Sequence, residues 1–229
     1  MMQRKYICEI FSGMGTTDEL FEQIGFEENP LYEQIIADLL ERKYSVIDGF
    51  FASEEVDLLR DSIMEKYQDH EFKKAAIGNK TNEVIEKSIR GDFILWLDEE
   101  KAGEAEKIYF DKINSLVSYL NRTCFMGILN KEFHYAVYPE GTFYKRHLDT
   151  FLNDGRRKLS MVCYLNKENW PPENGGELAI YLDKNGVEEE IAIYPLAGRI
   201  VIFESQELEH EVKIVKVPRY SITGWLKTR

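Results

Sequence analysis

From about residue 130 onward the chain is composed of short segments rich in Val, Ile, Tyr and Phe, separated by turn residues, and no other feature narrows its fold as much. Strands are expected near 133–139, 143–150, 158–166, 177–182, 188–195, 199–205, 210–217 and 220–227. Asp154-Gly155, Asn174-Gly175-Gly176, Asn185-Gly186 and Ala197-Gly198 supply turns between several of them. Eight such strands predict a double-stranded β-helix, or jelly roll, in which two antiparallel sheets enclose a pocket.

The preceding part is helical in pattern. Leu31, Ile35, Ile36, Leu39 and Leu40 recur at helical spacing between Leu31 and Lys43, and Tyr44–Phe50 reads as a strand. Ser53 is placed to cap a second helix that carries Glu54 and Glu55 in its first turn and buries Val56, Leu59, Ile63 and Tyr67. A third helix is expected over 99–121, with Ile108, Phe110, Ile113, Leu116, Val117 and Leu120 facing the core. The fold class is therefore α+β, mainly β, with N-terminal helices packed on a jelly-roll core at about 130–229. Residues 1–40 form an unassigned N-terminal extension and 41–229 a single domain. Gly13-Met14-Gly15 lacks the third glycine and preceding strand of a nucleotide fingerprint.

A formal charge of -12 over 229 residues disfavours nucleic acid as a partner, because phosphate-binding proteins carry a basic stripe. Cys8, Cys124 and Cys163 are odd in number and widely spaced, as expected of free thiols in a reducing compartment. Arg4 and Lys5 precede an apolar stretch that Glu9 interrupts before signal-peptide length, and nowhere do eighteen apolar residues run together. A cytoplasmic protein with no membrane partner is expected.

Within the β region, His147 and Asp149 stand two apart, so on one strand they share a face while Leu148 points away. A lone His-x-Asp is weak, but His210 heads a late strand that a jelly roll can return beside the first. Two imidazoles and a carboxylate can hold one face of Fe(II) and leave the other open, although zinc also accepts that set. His70, in a polar helix end, is given no metal, and His134 reads as a bonded structural histidine. Arg219, Ser221, Thr223 and Trp225 then share one strand face by the two-residue period. A buried guanidinium there matches a carboxylate bidentately, as the distal carboxylate of 2-oxoglutarate requires, and Ser221 can add a hydroxyl donor. Together these residues predict an Fe(II)- and 2-oxoglutarate-dependent hydroxylase.

From Tyr44 to Lys227 the chain resembles the prolyl hydroxylase family of Fe(II)/2-oxoglutarate dioxygenases, in its branch of oxygen-sensing type enzymes and bacterial relatives. The resemblance rests on Ile89-Arg90-Gly91-Asp92 with Trp96, Tyr138-Pro139, Tyr164-Leu165-Asn166 with Trp170, and Gly175-Gly176-Glu177-Leu178. His210-Glu211-Val212 and Arg219-Tyr220-Ser221-Ile222-Thr223-Gly224-Trp225 complete it. It implies that His147, Asp149 and His210 ligate iron and that Arg219 anchors 2-oxoglutarate, with Tyr164 bonding the distal carboxylate and Tyr138 reaching the cosubstrate. It further implies that Thr223 and Trp225 line the pocket and that Arg90, Asp92 and Arg156 stand at the substrate mouth. The loop from Tyr138 to His147 is one residue shorter than in the animal enzymes, and residues 73–88 resemble the flap beside their active site.

The implied reaction consumes dioxygen and 2-oxoglutarate, releases succinate and carbon dioxide, and hydroxylates a proline presented by a protein substrate in an extended loop, with ascorbate as a further requirement. Two other readings stay open: hydroxylation of a free amino acid or other small molecule, and a non-catalytic metal-binding jelly-roll module.

Overall fold

A computed structural model of the chain describes residues 27–75, 89–150, 155–167 and 169–228. Cys8, the Gly13-Met14-Gly15 pair and residues 76–88 of the segment compared with a flap lie outside the described residues.

Helix α1 (Pro30–Arg42) begins where the Asn29 side chain accepts from the amides of Leu31 and Tyr32, with proline in its first turn, and it ends at Lys43 in the left-handed conformation. It crosses the boundary expected at residue 40. Tyr32 and Ile35 belong to the main core, and the Ser45 hydroxyl bonds Asp38 at 2.7 Å, so the folded domain starts before residue 41. Strand β1 (Tyr44–Ile47) leads to α2 (Ser53–Gln68). Ser53 is its first helical residue rather than its cap. Ala52 holds the cap position, where its amide donates to Glu55 at 2.7 Å, a reciprocal bond that needs no capping hydroxyl.

The helix expected at 99–121 is divided. A 3₁₀ turn, Glu99–Lys101, is closed by the Asp98 carboxylate, and α3 (Glu104–Cys124) starts afresh after Gly103.

Nine further strands and one two-residue strand complete the described fold. They are β2 (Lys73–Lys74), β3 (Phe93–Trp96), β4 (Asn130–Tyr138), β5 (Tyr144–His147) and β6 (Arg157–Tyr164). After these come β7 (Leu178–Lys184), β8 (Val187–Ile193), β9 (Ile200–Glu204), β10 (Glu209–Val212) and β11 (Arg219–Lys227). They form a seven-stranded sheet in the order β1-β9-β6-β11-β4-β3-β2 and a four-stranded sheet in the order β5-β10-β7-β8. Every pairing is antiparallel, so the jelly-roll expectation holds. Strands β2 and β3, absent from the expected set, are too short to display a period in the sequence.

Strand alternation divides the interior into two layers. Phe133, Tyr135 and Val137 of β4, Leu159, Met161 and Cys163 of β6, and Ile222 and Leu226 of β11 face the helices, where they meet Ile35, Leu59, Ile63, Ile113 and Leu116. Val162, Tyr164, Val201 and Phe203 face the other way and meet Leu178, Ile180 and Ile193 of the smaller sheet. Sheet strands covered on both faces read as unbroken apolar runs, which is why β6 and β9 show little alternation in sequence. Each fully buried Leu or Ile adds about 2 kcal/mol, so the helices hold the large sheet rigid behind the pocket. The smaller sheet turns a charged outer face to solvent, where Arg146 bonds both Glu188 and Glu209. No helix among the described residues is long and apolar enough to cross a membrane.

Candidate active site

Between the sheets lies a cavity of about 520 Å³. His147 ends β5, and His210 sits directly opposite it on β10. Asp149 is not on the strand, as alternation had suggested, because β5 stops at His147 and Asp149 occupies the following bend. Two bonds hold that bend: Arg157 donates to the Asp149 carbonyl at 2.8 Å, and the Ser160 hydroxyl donates to the carboxylate at 2.7 Å while it contacts the Ser205 hydroxyl at 2.8 Å. The carboxylate then faces both imidazoles, 3.4 Å from His147 Nε2 and 3.6 Å from His210 Nε2.

Tautomers follow from the remaining nitrogens. His147 Nδ1 lies 2.7 Å from the Lys145 carbonyl and His210 Nδ1 lies 3.1 Å from the Leu208 carbonyl, so each Nδ1 carries the proton and donates. Burial lowers the His210 pKa to about 4 and keeps the ring neutral. For Asp149, burial opposes ionisation but the attraction of the neighbouring imidazoles in their protonated form and the Ser160 hydroxyl outweigh it, holding the carboxyl well below its ordinary range. Two nitrogen lone pairs and a carboxylate oxygen, all within 4.8 Å of one another, repel unless a cation joins them. The donor set fits a divalent transition metal, and the Nδ1 bonds are the usual support for such ligands.

Arg219 opens β11 deeper in the same cavity and is only 1% exposed. Its strand neighbours place Tyr138 of β4 opposite it, and Tyr164 of β6 opposite Ser221. Both tyrosine rings lie 4.9 Å from the guanidinium carbon. Ser221 Oγ accepts a long bond from Arg219 at 3.4 Å, and Thr223 lies 3.5 Å beyond it. Arg219 Nε and Tyr164 Oη are buried without hydrogen-bond partners, and among the described residues no carboxylate pairs with this arginine. Burial pushes both phenols above their ordinary pKa, so they remain protonated donors. A buried guanidinium is costly without an anion, and here it sits with spare donors beside it. Gly176, at φ +70°, packs against the arginine: a Cβ there would sit 3.1 Å from Arg219 Cδ and press on it. These groups fit the carboxylate of a small diacid.

Arg90, Trp96, Tyr138, Tyr144, Thr223 and Trp225 also line the cavity. Asp92 is buried behind the wall and grips Arg90 through two bonds of 2.8 and 2.5 Å, while the Arg90 guanidinium covers the Tyr144 ring at 4.3 Å. Tyr144 in turn stacks on His147 at 3.7 Å. Arg156 does not stand at the mouth. It is exposed in the turn before β6, and Arg157 lines the cavity instead, its guanidinium 3.5 Å from the Trp225 ring. The cause is a register shift: Leu226 pairs with Leu159 but Lys227 pairs with Arg157, and this irregularity reverses the alternation of faces. His134 is likewise not the bonded histidine expected, since its buried Nδ1 has no partner and its ring faces the cavity. His70 is exposed in a left-handed turn after α2.

A sequence model of the 2OG-Fe(II) oxygenase superfamily matches residues 133–227, the span from β4 to β11 that carries the whole cluster. A Pseudomonas putida prolyl-4-hydroxylase is 35% identical, with a TM-score of 0.75, 86% of this chain and 99% of that one being covered. A Trichoplax adhaerens prolyl hydroxylase, solved with a hypoxia inducible factor oxygen degradation domain peptide, is 28% identical over 94% of each chain, with a TM-score of 0.78. A viral collagen prolyl hydroxylase from Paramecium bursaria Chlorella virus 1, in complex with 2-oxoglutarate, shares the fold at 21% identity and a TM-score of 0.56, with 82% and 98% of the chains covered. The chain belongs to the prolyl hydroxylase family of Fe(II)- and 2-oxoglutarate-dependent oxygenases.

Proposed function

We propose that this enzyme hydroxylates a prolyl residue carried in an extended segment of a protein, with His147, Asp149 and His210 holding Fe(II) and Arg219 holding 2-oxoglutarate. The observation that carries the cosubstrate assignment is the buried, carboxylate-free Arg219 in the same cavity as the His-Asp-His cluster. The choice of a protein substrate rests on the 35% identical prolyl-4-hydroxylase and on the relative solved with a peptide. When bound, Fe(II) and 2-oxoglutarate activate dioxygen, and one oxygen atom goes to succinate and the other to a substrate C–H bond.

The side chains of this chain divide the remaining work. His147 and His210 present Nε2, with the tautomer fixed by the carbonyls of Lys145 and Leu208. Ser160 orients Asp149. Arg219 and the Tyr164 hydroxyl hold the distal carboxylate, Ser221 adds a donor beside them, and Tyr138 and Thr223 close the pocket around the cosubstrate. Arg90, positioned by Asp92, and Arg157 with Trp225 form the substrate side. Ascorbate as a reductant for the iron and a cytoplasmic location belong to the same proposal, the latter supported by the free thiols of Cys124 and Cys163.

The test is intact-mass and fragment analysis of candidate protein partners incubated with the enzyme, Fe(II), 2-oxoglutarate and oxygen. A gain of about 16 Da on proline, matched by succinate, is expected. His147→Ala and Arg219→Ala should each abolish both products, and 2-oxoglutarate binding undiminished in Arg219→Ala would remove the anchor assignment. An oxidised free amino acid with no protein product would overturn the protein substrate.

A further inference from the structure

The cavity has a second polar wall that neither the metal cluster nor Arg219 uses. His134 on β4 pairs with Thr223 on β11, which sets it diagonal to Trp225 on the same face. The two rings are 5.6 Å apart, and Trp96 of the adjoining strand meets His134 edge-on at 4.9 Å. All three side chains line the cavity. His134 is 3% exposed and Trp225 9%, whereas Trp96 is 52% exposed and forms the rim. His134 Nδ1 and Trp225 Nε1 are both buried without a hydrogen-bond partner. An unsatisfied buried polar atom is costly, so one on each of two neighbouring rings in a cavity wall indicates a ligand that completes them.

Their chemistry defines the ligand group. An indole nitrogen only donates, whereas a neutral imidazole donates from one nitrogen and accepts at the other. Burial lowers the His134 pKa to about 3, so the accepting nitrogen is present at neutral pH. A donor and an acceptor on neighbouring rings match the N–H and C=O of one residue in an extended chain, because those two groups project to the same side of the strand. Proline itself has no N–H, so the residue recognised must be a neighbour.

We propose that His134 and Trp225 read the backbone of a residue adjoining the target proline, with His134 accepting from its N–H and Trp225 donating to its C=O. The pair thereby selects a peptide over a free amino acid. This inference rests on the prolyl-peptide reading above, and it adds a specificity-determining residue to that reading.

The probe is the shortest proline peptide that gains about 16 Da in the experiment above, prepared also as two esters. In one the N–H before the proline, and in the other the N–H after it, is replaced by oxygen. Wild-type enzyme should lose about tenfold in kcat/KM on one of the two esters relative to the amide. His134→Leu should lose a similar factor on the amide and no longer distinguish it from that ester, while His134→Gln, which keeps an accepting atom, should recover part of the discrimination. An ester penalty that persists unchanged in His134→Leu, or one absent from the wild type, overturns the inference and leaves prolyl hydroxylation standing. If no proline peptide is oxidised by the wild type, both readings fall together. Unfolding curves of the Leu and Gln variants establish that each is folded when it is assayed.

Discussion

At the scale of single residues, the cluster depends on side chains that never touch a ligand. Ser160 holds Asp149 Oδ2 at 2.7 Å and is itself backed by Ser205 at 2.8 Å, which keeps Oδ2 turned toward His210 and Oδ1 toward His147. Removing the hydroxyl leaves the ligand set complete but lets the carboxylate rotate in its bend. Loss of such support weakens metal binding by about 10–100-fold. Ser160→Ala should therefore bind Co(II), a redox-stable substitute for Fe(II), at least tenfold more weakly in a calorimetric titration. An unchanged affinity would show that the bend alone, through Arg157 and the Asp149 carbonyl, sets the geometry.

At the scale of elements, two irregular strands decide which residues reach the cavity. In β5, Val212 pairs with Tyr144 while His210 pairs with His147, so four residues of β5 span three of β10, and both Tyr144 and His147 turn inward. In β6 the shift at its start brings in Arg157 and leaves Arg156 outside. Arg157→Ala removes a bond to the Asp149 carbonyl and the cover over Trp225, and a loss of tenfold or more in kcat/KM is expected, whereas Arg156→Ala should change it less than about twofold. Equal effects in steady-state assays would contradict the placement. The same irregularities mark the limit of what the sequence reveals. The residues Arg219, Ser221, Thr223 and Trp225 lie on a regular strand, so a two-residue period places them on one face, and the apolar stripes of α1, α2 and α3 are equally legible. Tyr144, Arg157 and the bend position of Asp149 are not legible, because one added residue inverts a face without changing composition. The state of His134 is not legible for another reason: whether a buried histidine finds a partner depends on strands distant in sequence.

At the scale of the molecule, the cavity lies between two sheets that meet through side-chain packing, through the bonds of Ser160 and Arg157 to Asp149, and through a backbone bridge between Arg90 and Tyr144. The residues proposed to hold the metal come from β5, the bend after it and β10 in the four-stranded sheet, whereas Arg219 belongs to the seven-stranded sheet that the helices buttress. A diacid held by the metal at one end and by Arg219 at the other spans that division, so it should stabilise the assembled fold beyond what metal alone contributes. A ligand that binds only the folded state at about 100 times its Kd adds roughly 2.7 kcal/mol, which for a chain of this size raises Tm by about 5–10 °C. Co(II) with 2-oxoglutarate is expected to raise Tm in two increments, one for each ligand. Asp149→Ala should remove both, because the diacid loses one of its two attachments with the metal, while Arg219→Ala should keep the first increment and lose the second. A 2-oxoglutarate increment of full size in Arg219→Ala would mean that the diacid is held within the smaller sheet alone, and the link between the two sheets would have to be sought elsewhere.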